Sequence, residues 1–498
     1  MLPDKLGDTT GTISIFAHKL DTIITVVLMT DLQPPDWIEA RQYQQKAVRN
    51  WLDANGRGIL HMATGTGKTV TALLAASHVA QSIGDDLALV VAVPYQHLVD
   101  QWSKDLVDFG ADPILGYQSR RNWQPRLERE LLEFNNGVRD TCVVVTTHRT
   151  LSMESARRTL SRATGRMMLI ADEVHHLGAN HTQNALMDDF SLRLGLSATP
   201  ERWYDEEGTE KLTSYFGGTV FDYGLEKAIE SGALCEYYYI PHIVELQDGE
   251  MEEYIQLTEK IGRLFAQQQT GEDFELGDNQ SLQTALFKRA RLIGTAREKL
   301  DLLVDLFRRG PDPSYSLVYC SDGSTGLDDG GERHIDATTT RLRDECGLTV
   351  ERFTAREDQV ERERLLSAFE AGDIPVLTSI RCLDEGVDVP ATRTAYLLAS
   401  TSNPRQYVQR RGRILRQHKD KKLAVIHDFI TIPDTSRHPE VLSDDQYDVE
   451  RKLIRKELER VTTFAESARN HPDADVEGVP TTDRSLQEVK RRYDLLTA

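Results

Sequence analysis

A glycine-rich turn followed by a lysine stands between an apolar run and a helix-forming stretch. Residues 62–69 read Met-Ala-Thr-Gly-Thr-Gly-Lys-Thr and follow the apolar residues 59–61. Such a turn presents backbone N–H groups to phosphate oxygens, with the positive end of the helix dipole behind them. Lys68 would reach the β and γ phosphates, and the Thr69 hydroxyl would bind Mg²⁺. Although Met62 replaces the usual first glycine, the turn predicts a nucleoside triphosphate site formed by Gly65, Thr66, Gly67, Lys68 and Thr69.

Two adjacent carboxylates follow a second apolar run. Residues 167–171 read Met-Met-Leu-Ile-Ala and lead into Asp172, Glu173, Val174 and His175. A strand that ends in paired acids can give one carboxylate to a metal ion and leave the other to orient and deprotonate a water molecule. We assign Asp172 to Mg²⁺ and Glu173 to the water. Together with the glycine turn, the pair predicts hydrolysis of the triphosphate.

These groups need a scaffold, which two long stretches of the chain can provide. In both, short β-branched runs alternate with helical patterns, as in βαβ units on a mainly parallel sheet. We therefore predict an α/β fold of two tandem domains, each a parallel sheet flanked by helices. The predicted strands are 59–61, 88–93, 141–146, 167–171 and 192–196 in the first half, and 316–319, 349–353, 374–377, 394–399 and 424–429 in the second.

An acidic segment separates the two halves. Residues 245–278 contain ten acids and two bases, a local charge of −8 out of −20 for the chain. Residues 282–309, which follow, have apolar side chains every three or four positions and predict helix. We expect an N-terminal extension, a first domain, an acidic and partly helical connector, a second domain, and a C-terminal helix with a tail, at residues 1–32, 33–240, 241–310, 311–432 and 433–498.

The composition excludes several classes of protein. The 498 residues are 39% apolar and 28% charged, which is typical of a globular protein. The negative charge disfavours a uniformly basic surface but permits a basic groove. The five cysteines lie far apart without a C-x-x-C pair, which disfavours a disulfide framework or a zinc ribbon. Because the early apolar run 23–29 is too short to span a membrane, we expect a cytoplasmic protein without a membrane partner.

The order of these and other motifs resembles that of superfamily 2 helicases and translocases of the DExH type. Residues 172–175 would be the namesake motif. The stretches EGVDVP and NPRQYVQRRGRILR are most similar to the group of restriction-enzyme motor subunits (Res) and XPB-like DNA translocases. Six further segments resemble, in this order, the adenine-recognition element and motifs Ia, Ib, III, V and VI. They are residues 41–44, 93–102, 146–148, 197–200, 382–390 and 409–416.

The resemblance implies roles for the matched residues. Gln44 would read the adenine base, and Gly386, Asp388 and Gln409 would join the nucleotide site from the second half. A relay between the nucleotide and a nucleic acid would run through His175, Ser197 and Thr199. Nucleic-acid contacts by position in the motifs would be Pro94, Thr147, Thr354 and Thr378.

Motif VI carries two arginines three positions apart. On a helix, Arg413 and Arg416 would project from one face. The resemblance makes them arginine fingers, which neutralise charge that develops on the γ phosphate. Since Arg413 lies 413 − 68 = 345 positions after Lys68, the two halves would have to close on ATP to assemble the site.

The sequence therefore predicts an ATP- and Mg²⁺-dependent DNA helicase or double-stranded DNA translocase, a motor suited to restriction, phage defence or DNA repair. An RNA helicase of the same architecture and a nucleotide-gated scaffold or sensor without motor activity remain alternatives. Arg120, Arg121 and Trp123 form an early basic and aromatic cluster that suits either nucleic-acid contact or a solvated loop. A protein partner would carry nuclease or recognition function. The C-terminal helix would either dock such a partner or pack against the second domain.

Overall fold

Two compact α/β units make up the protein in a computed structural model, and the chain divides between Ala228 and Ile229. Each unit is a parallel sheet flanked by helices, so the predicted fold class is confirmed. Among the described helices, none is long and apolar enough to cross a bilayer. The structure describes residues 32–83, 86–179, 181–199, 205–268, 280–324, 332–354, 356–380, 389–399, 404–432, 444–474 and 486–495.

The first unit contains a seven-stranded sheet in the order β3-β4-β2-β5-β6-β1-β7, with every neighbouring pair parallel. All five predicted strands are present, and the short strands β3 and β7 are additions. The strands are β1 (Arg57–Met62), β2 (Leu87–Val93), β3 (Ile114–Gly116), β4 (Thr141–Thr147), β5 (Arg166–Ala171), β6 (Leu192–Ser197) and β7 (Thr219–Tyr223). The helices are α1 (Gln42–Asp53), α2 (Lys68–Ile83), α3 (Gln96–Asp108), α4 (Arg120–Asn135), α5 (His148–Leu151), α6 (Glu154–Leu160) and α7 (Glu206–Phe216), and α8 (Leu225–Glu230) contains the division between the units.

The second unit contains a six-stranded parallel sheet in the order β10-β11-β9-β12-β13-β8. Its strands are β8 (Glu236–Glu245), β9 (Ser316–Tyr319), β10 (Val350–Phe353), β11 (Val376–Ser379), β12 (Thr394–Leu397) and β13 (Leu423–Ile432). Its helices are α9 (Asp248–Gln268), α10 (Gln280–Gly294), α11 (Arg297–Arg309), α12 (His334–Cys346), α13 (Gln359–Ala371), α14 (Pro404–Ile414), α15 (Asp444–Ala465) and α16 (Gln487–Arg492).

The acidic connector is part of the second unit. Strand β8 pairs with β13 over ten residues, whereas the sequence places the end of the first domain at residue 240. On α9 the acids Glu252 and Glu259 are exposed, while Met251 and Tyr254 share a core with Phe429 of β13. Helix α9 is therefore amphipathic, with acids such as Glu252 and Glu259 on its outer face and Glu250 among its buried residues. The predicted helix at 282–309 is divided into α10 and α11.

Helix α15 packs against β13 and β8 through a buried ionic network. The guanidinium of Arg460 donates to both carboxylate oxygens of Asp428, at 2.9 and 3.1 Å, and to Glu457 at 2.8 Å. The Tyr239 hydroxyl donates to Asp428 at 2.8 Å. The outward positions of the helix are polar, among them Arg455. Of the two alternatives for the C-terminal helix, packing against the second domain is the one the structure contains.

Replacing Arg460 with leucine should destabilise the second unit by about 3–5 kcal/mol, because it leaves two buried carboxylates without their counter-ion. The matched control is Arg455→Leu on the exposed face of the same helix, which should change the stability by less than about 0.5 kcal/mol. Urea-induced unfolding of the full chain, followed by circular dichroism, measures both. Equal unfolding midpoints for the two variants would show that the network contributes no specific stability.

Candidate functional site

Sheet order brings the predicted catalytic segments to one edge of the first unit. Strand β6 pairs with both β1 and β5, and all three run in the same direction. Their carboxyl ends therefore lie side by side. The glycine turn follows β1, Asp172 follows β5, and Ser197 ends β6.

The glycine turn needs glycine at two positions. Gly65 and Gly67 have φ values of 89° and 79°, in the left-handed region that favours glycine. A Cβ atom on Gly67 would also lie 2.9 Å from Nε2 of Gln44. Helix α2 begins at Lys68, directly after the turn, so its N-terminal N–H groups face the same edge of the sheet.

Helix α1 is attached to the turn by side chains of the Arg-Gln-Tyr-Gln segment. The Tyr43 hydroxyl donates to the Thr66 carbonyl at 2.8 Å, and Gln44 Nε2 donates to the Gly67 carbonyl at 3.4 Å. The Tyr43 ring stacks on that of Tyr223, with centroids 4.1 Å apart. Gln44, which is predicted to read the adenine base, is thus in direct contact with the glycine turn. Tyr223 ends the short strand β7, which the sequence pattern did not predict.

Lys68 and Glu173 face each other across a gap. The lysine Nζ is 3.6 Å from Oε1 of Glu173, and the two side chains are 12% and 17% exposed. Within the described part of the chain, neither Lys68 Nζ nor Glu173 Oε2 has a hydrogen-bond partner. Buried polar atoms are usually paired, so such a site suits ligand groups that complete it. A phosphate oxygen and a water molecule have the chemistry to do so.

Asp172 receives two hydrogen bonds from the protein. Trp102 Nε1 of α3 donates to Oδ2 at 2.9 Å, and the Glu173 amide donates to Oδ1 at 2.9 Å. Burial, and then the negative charge of Glu173, raise the pKa of Asp172 to about 6. A divalent cation would offset both effects, because a positive charge favours the ionised carboxyl. Trp102 is a functional candidate that the sequence showed only as part of motif Ia.

Three residues of the predicted relay lie in contact. His175 Nδ1 is 3.2 Å from the Ser197 hydroxyl and 3.6 Å from Glu173 Oε2. The Thr199 amide donates to Ser197 Oγ at 3.1 Å.

Glu173 itself has φ 43°, a strained backbone for a residue other than glycine. The described residues contain no cluster of three His, Cys, Asp or Glu side chains able to hold a metal ion.

In the second unit, the arginines of motif VI have different surroundings. Arg411 is 5% exposed, lies over the Phe464 ring of α15 and donates to the Thr463 carbonyl, so it joins the helix to the unit. Gln409 is also buried, whereas Arg413 and Arg416 are half-buried.

The expectation that Arg413 and Arg416 share one helical face needs correction. Helix α14 ends at Ile414, and Arg416 lies beyond it in a turn where its amide donates to the Arg413 carbonyl at 3.3 Å. Burial lowers the pKa of Arg416 to about 10, so its guanidinium stays charged at neutral pH. Gly386 and Asp388 of motif V, and Pro200 of motif III, lie outside the described residues.

The side chains predicted to contact a nucleic acid mostly form contacts within the protein. Thr378 has no exposed surface, and its hydroxyl contacts that of Thr339 at 2.9 Å. The Thr354 hydroxyl donates to Glu357 at 2.8 Å. Thr147 caps α5, and Pro94 is half-buried at the end of β2. Trp123 lies in the core of the first unit, which removes it as a base-stacking surface, while Arg120 and Arg121 are exposed.

Both halves match known families. Residues 37–202 match the family described as the res subunit of type III restriction enzymes, and residues 298–418 match the helicase conserved C-terminal domain. The chain belongs to the superfamily 2 helicases, in the Res and XPB-like group. It is accordingly an ATP-hydrolysing enzyme of the helicase and translocase class, and the predicted resemblance and enzyme class are confirmed.

Curated relatives and solved structures agree with this assignment. The chain is 26% identical to DNA 3'-5' translocase XPB2 of Sulfurisphaera tokodaii over 412 residues, covering 78% of this chain and 81% of that protein. It is 24% identical to Putative helicase 22 of a Sulfolobus islandicus filamentous virus, covering 79% of this chain and 64% of that protein.

Among solved structures, the type ISP restriction-modification enzyme LlaBIII bound to DNA has the same fold. The TM-score is 0.59 at 17% identity, and the match covers 93% of this helicase and 32% of LlaBIII. This helicase therefore corresponds to about a third of that longer chain.

Replacing Trp102 with phenylalanine should destabilise the metal-free protein by about 1–3 kcal/mol at pH 8, because the Asp172 carboxylate loses a hydrogen bond. The loss should be smaller at pH 5. Below its pKa of about 6, Asp172 is protonated in the folded state and depends less on the donor.

The matched control is Trp51→Phe in the same unit. Trp51 Nε1 donates at 3.0 Å to the Arg193 carbonyl, which does not titrate. This variant should therefore lose the same free energy of unfolding at both pH values. Urea unfolding at pH 5 and pH 8 measures the difference. A pH-independent loss in Trp102→Phe would contradict an ionised Asp172 as the acceptor.

Proposed function

We propose that this helicase couples ATP hydrolysis to movement along, or remodelling of, DNA. The observation that carries the proposal is the buried pair Lys68 and Glu173, separated by 3.6 Å at the end of a parallel sheet. A lysine suited to phosphate and a carboxylate suited to water form a site for hydrolysis, because Lys68 Nζ and Glu173 Oε2 have no hydrogen-bond partner among the described residues.

The nucleotide would be held by the turn and by α1. Backbone amides of Gly65, Thr66 and Gly67 would surround the phosphates together with the Lys68 ammonium, and Gln44 would contact the base. Thr69 and Asp172 would hold Mg²⁺, which when bound neutralises phosphate charge and favours the leaving group. From the second unit, Gly386, Asp388 and Gln409 would complete the site.

Hydrolysis would use the groups that face the gap. Glu173 would orient the attacking water and accept its proton, and Lys68 would neutralise charge on the phosphates. Arg413 and Arg416 would stabilise the charge that develops in the transition state. The contacts of His175 with Glu173 and Ser197 would report the state of the nucleotide to the strand ends, where Thr199 follows.

DNA is the proposed track because the similar archaeal protein is named a DNA translocase. An RNA helicase of the same architecture would use the same ATP site. A sensor without motor activity would not need both a water-activating carboxylate and arginine fingers.

Since the matched family is a subunit of restriction enzymes, we propose that a partner supplies nuclease or recognition function in a defence or repair system.

Buried free thiols at Cys142, Cys235 and Cys320 support a cytoplasmic location.

Replacing Lys68 with alanine should lower ATP turnover by at least about 10²- to 10³-fold, because the phosphates lose their nearest cation. The fold should survive, since Lys68 Nζ makes no hydrogen bond within the described residues. Lys104→Ala, at an exposed position of α3, is the matched control and should turn over ATP normally. Steady-state phosphate release and circular dichroism measure activity and folding. Full turnover by Lys68→Ala would overturn the assignment of the phosphate site.

ATP turnover should be stimulated more by double-stranded DNA than by RNA of the same sequence. The comparison uses duplex DNA, single-stranded DNA and RNA at one salt concentration, because phosphate contacts weaken with salt. Stronger stimulation by RNA would favour the RNA helicase. Turnover that no nucleic acid stimulates would favour the sensor. Displacement of a triplex-forming strand from duplex DNA then tests translocation directly.

A further inference from the structure

The ammonium group of Lys421 is buried at the end of motif VI. The side chain is 4% exposed and precedes strand β13. Its Nζ donates to the Arg416 carbonyl at 3.0 Å, to the Ile414 carbonyl, and to the Pro390 carbonyl at 3.4 Å.

One of these three acceptors, Ile414, is the last residue of α14, and Arg416 follows it two positions later. The last carbonyls of a helix have no partner within it, and a cation close to them is favourable. Lys421 reaches back to them from a turn closed by its own amide, which donates to the His418 carbonyl at 3.0 Å. Because β13 follows directly and is paired on both sides, the lysine is held by a rigid element.

The end of motif VI contacts two other stretches of the second unit, one through the Lys421 ammonium and one through its own backbone. Pro390 is the last residue of the segment that resembles motif V. On the other side, the Cys235 amide donates to the Leu415 carbonyl at 2.8 Å, and Leu234 forms an antiparallel bridge with Arg416. The backbone of Arg416 is therefore fixed between Lys421 and the stretch that leads into β8.

A buried ammonium at this position has an energetic cost. Within the described residues, no carboxylate forms an ion pair with Lys421; its Nζ donates to three neutral carbonyls and also contacts the Cys235 side chain. Burial lowers the pKa of Lys421 to about 8, with the neighbouring Cys235 opposing the shift. A methionine of similar length would avoid the desolvation cost but would leave the carbonyls of Ile414 and Arg416 unpaired.

We propose that Lys421 is a positioning residue for Arg416. By holding the carbonyls of Ile414 and Arg416, on both sides of Leu415, it fixes the backbone that carries the Arg416 guanidinium. This inference rests on the proposed function of Arg416 as an arginine finger. Lys421 would act through Arg416 and would not contact ATP.

The test combines Lys421→Met with Arg416→Ala in the full-length protein. Lys421→Met should lower kcat for ATP about 10- to 100-fold, as expected when a catalytic group is displaced by about 1 Å. The dissociation constant of a fluorescent ATP analogue should change less than twofold. The matched control is Lys422→Met, the exposed neighbour, which should leave both quantities unchanged.

The decisive measurement is the double variant. If Lys421 acts through Arg416, then adding Lys421→Met to Arg416→Ala should cause no further loss of kcat. Losses that multiply would overturn the inference, as would an unchanged kcat in Lys421→Met alone. If Lys421→Met fails to fold, Lys421→Gln, which keeps an N–H donor, replaces it both as the single variant and in combination with Arg416→Ala. Full turnover by Arg416→Ala would instead overturn the finger assignment in the proposed function, so the two failures are distinguishable.

Discussion

The separation of Lys68 and Glu173 is the constraint on which the candidate ATP site of the first unit depends. Two opposite charges are held 3.6 Å apart in a largely buried site, close enough to attract and too far to form a hydrogen bond. The lysine is fixed by the start of α2, and the glutamate by a left-handed backbone at the end of β5. Among the described residues, Lys68 Nζ and Glu173 Oε2 have no hydrogen-bond partner, which suits them to a phosphate oxygen and a water molecule.

The parallel sheet explains why so few residues build this site. Strand ends that lie side by side bring the glycine turn, the carboxylates and Ser197 together without long loops. Trp102 adds a contact from the neighbouring helix that orients Asp172. The contact of His175 with both Glu173 and Ser197 gives the strand ends a direct link to the hydrolytic group.

Buried cations serve two different purposes in the second unit. Arg460 neutralises Asp428 and Glu457 and joins α15 to the sheet, so its contribution is to stability. Lys421 donates to the neutral carbonyls of Ile414 and Arg416, where a fixed backbone matters more than a neutralised charge. Both depend on β13, the strand that carries Asp428 and follows Lys421. This strand therefore connects the core of the unit with its candidate catalytic end.

The sequence alone determined the fold class, ten of the thirteen strands in the described part of the chain, and the candidate ATP site of the first unit. These features are local: a strand, a turn and a helix start follow one another, and their apolar periods are visible in a short window. It missed β3 and β7, which are short, and β8, which follows the unit boundary and pairs with a strand nearly two hundred positions away.

Only the tertiary structure showed what Trp102, Arg460 and Lys421 contact. Trp102 donates to a carboxylate 70 positions away, and Lys421 gathers carbonyls from two separate segments. Backbone carbonyls occur at every residue, so a side chain that binds them leaves no pattern of residue types in the sequence. The position of Arg416 beyond the end of α14 was decided in the same way, by contacts with distant stretches of the chain rather than by helical spacing.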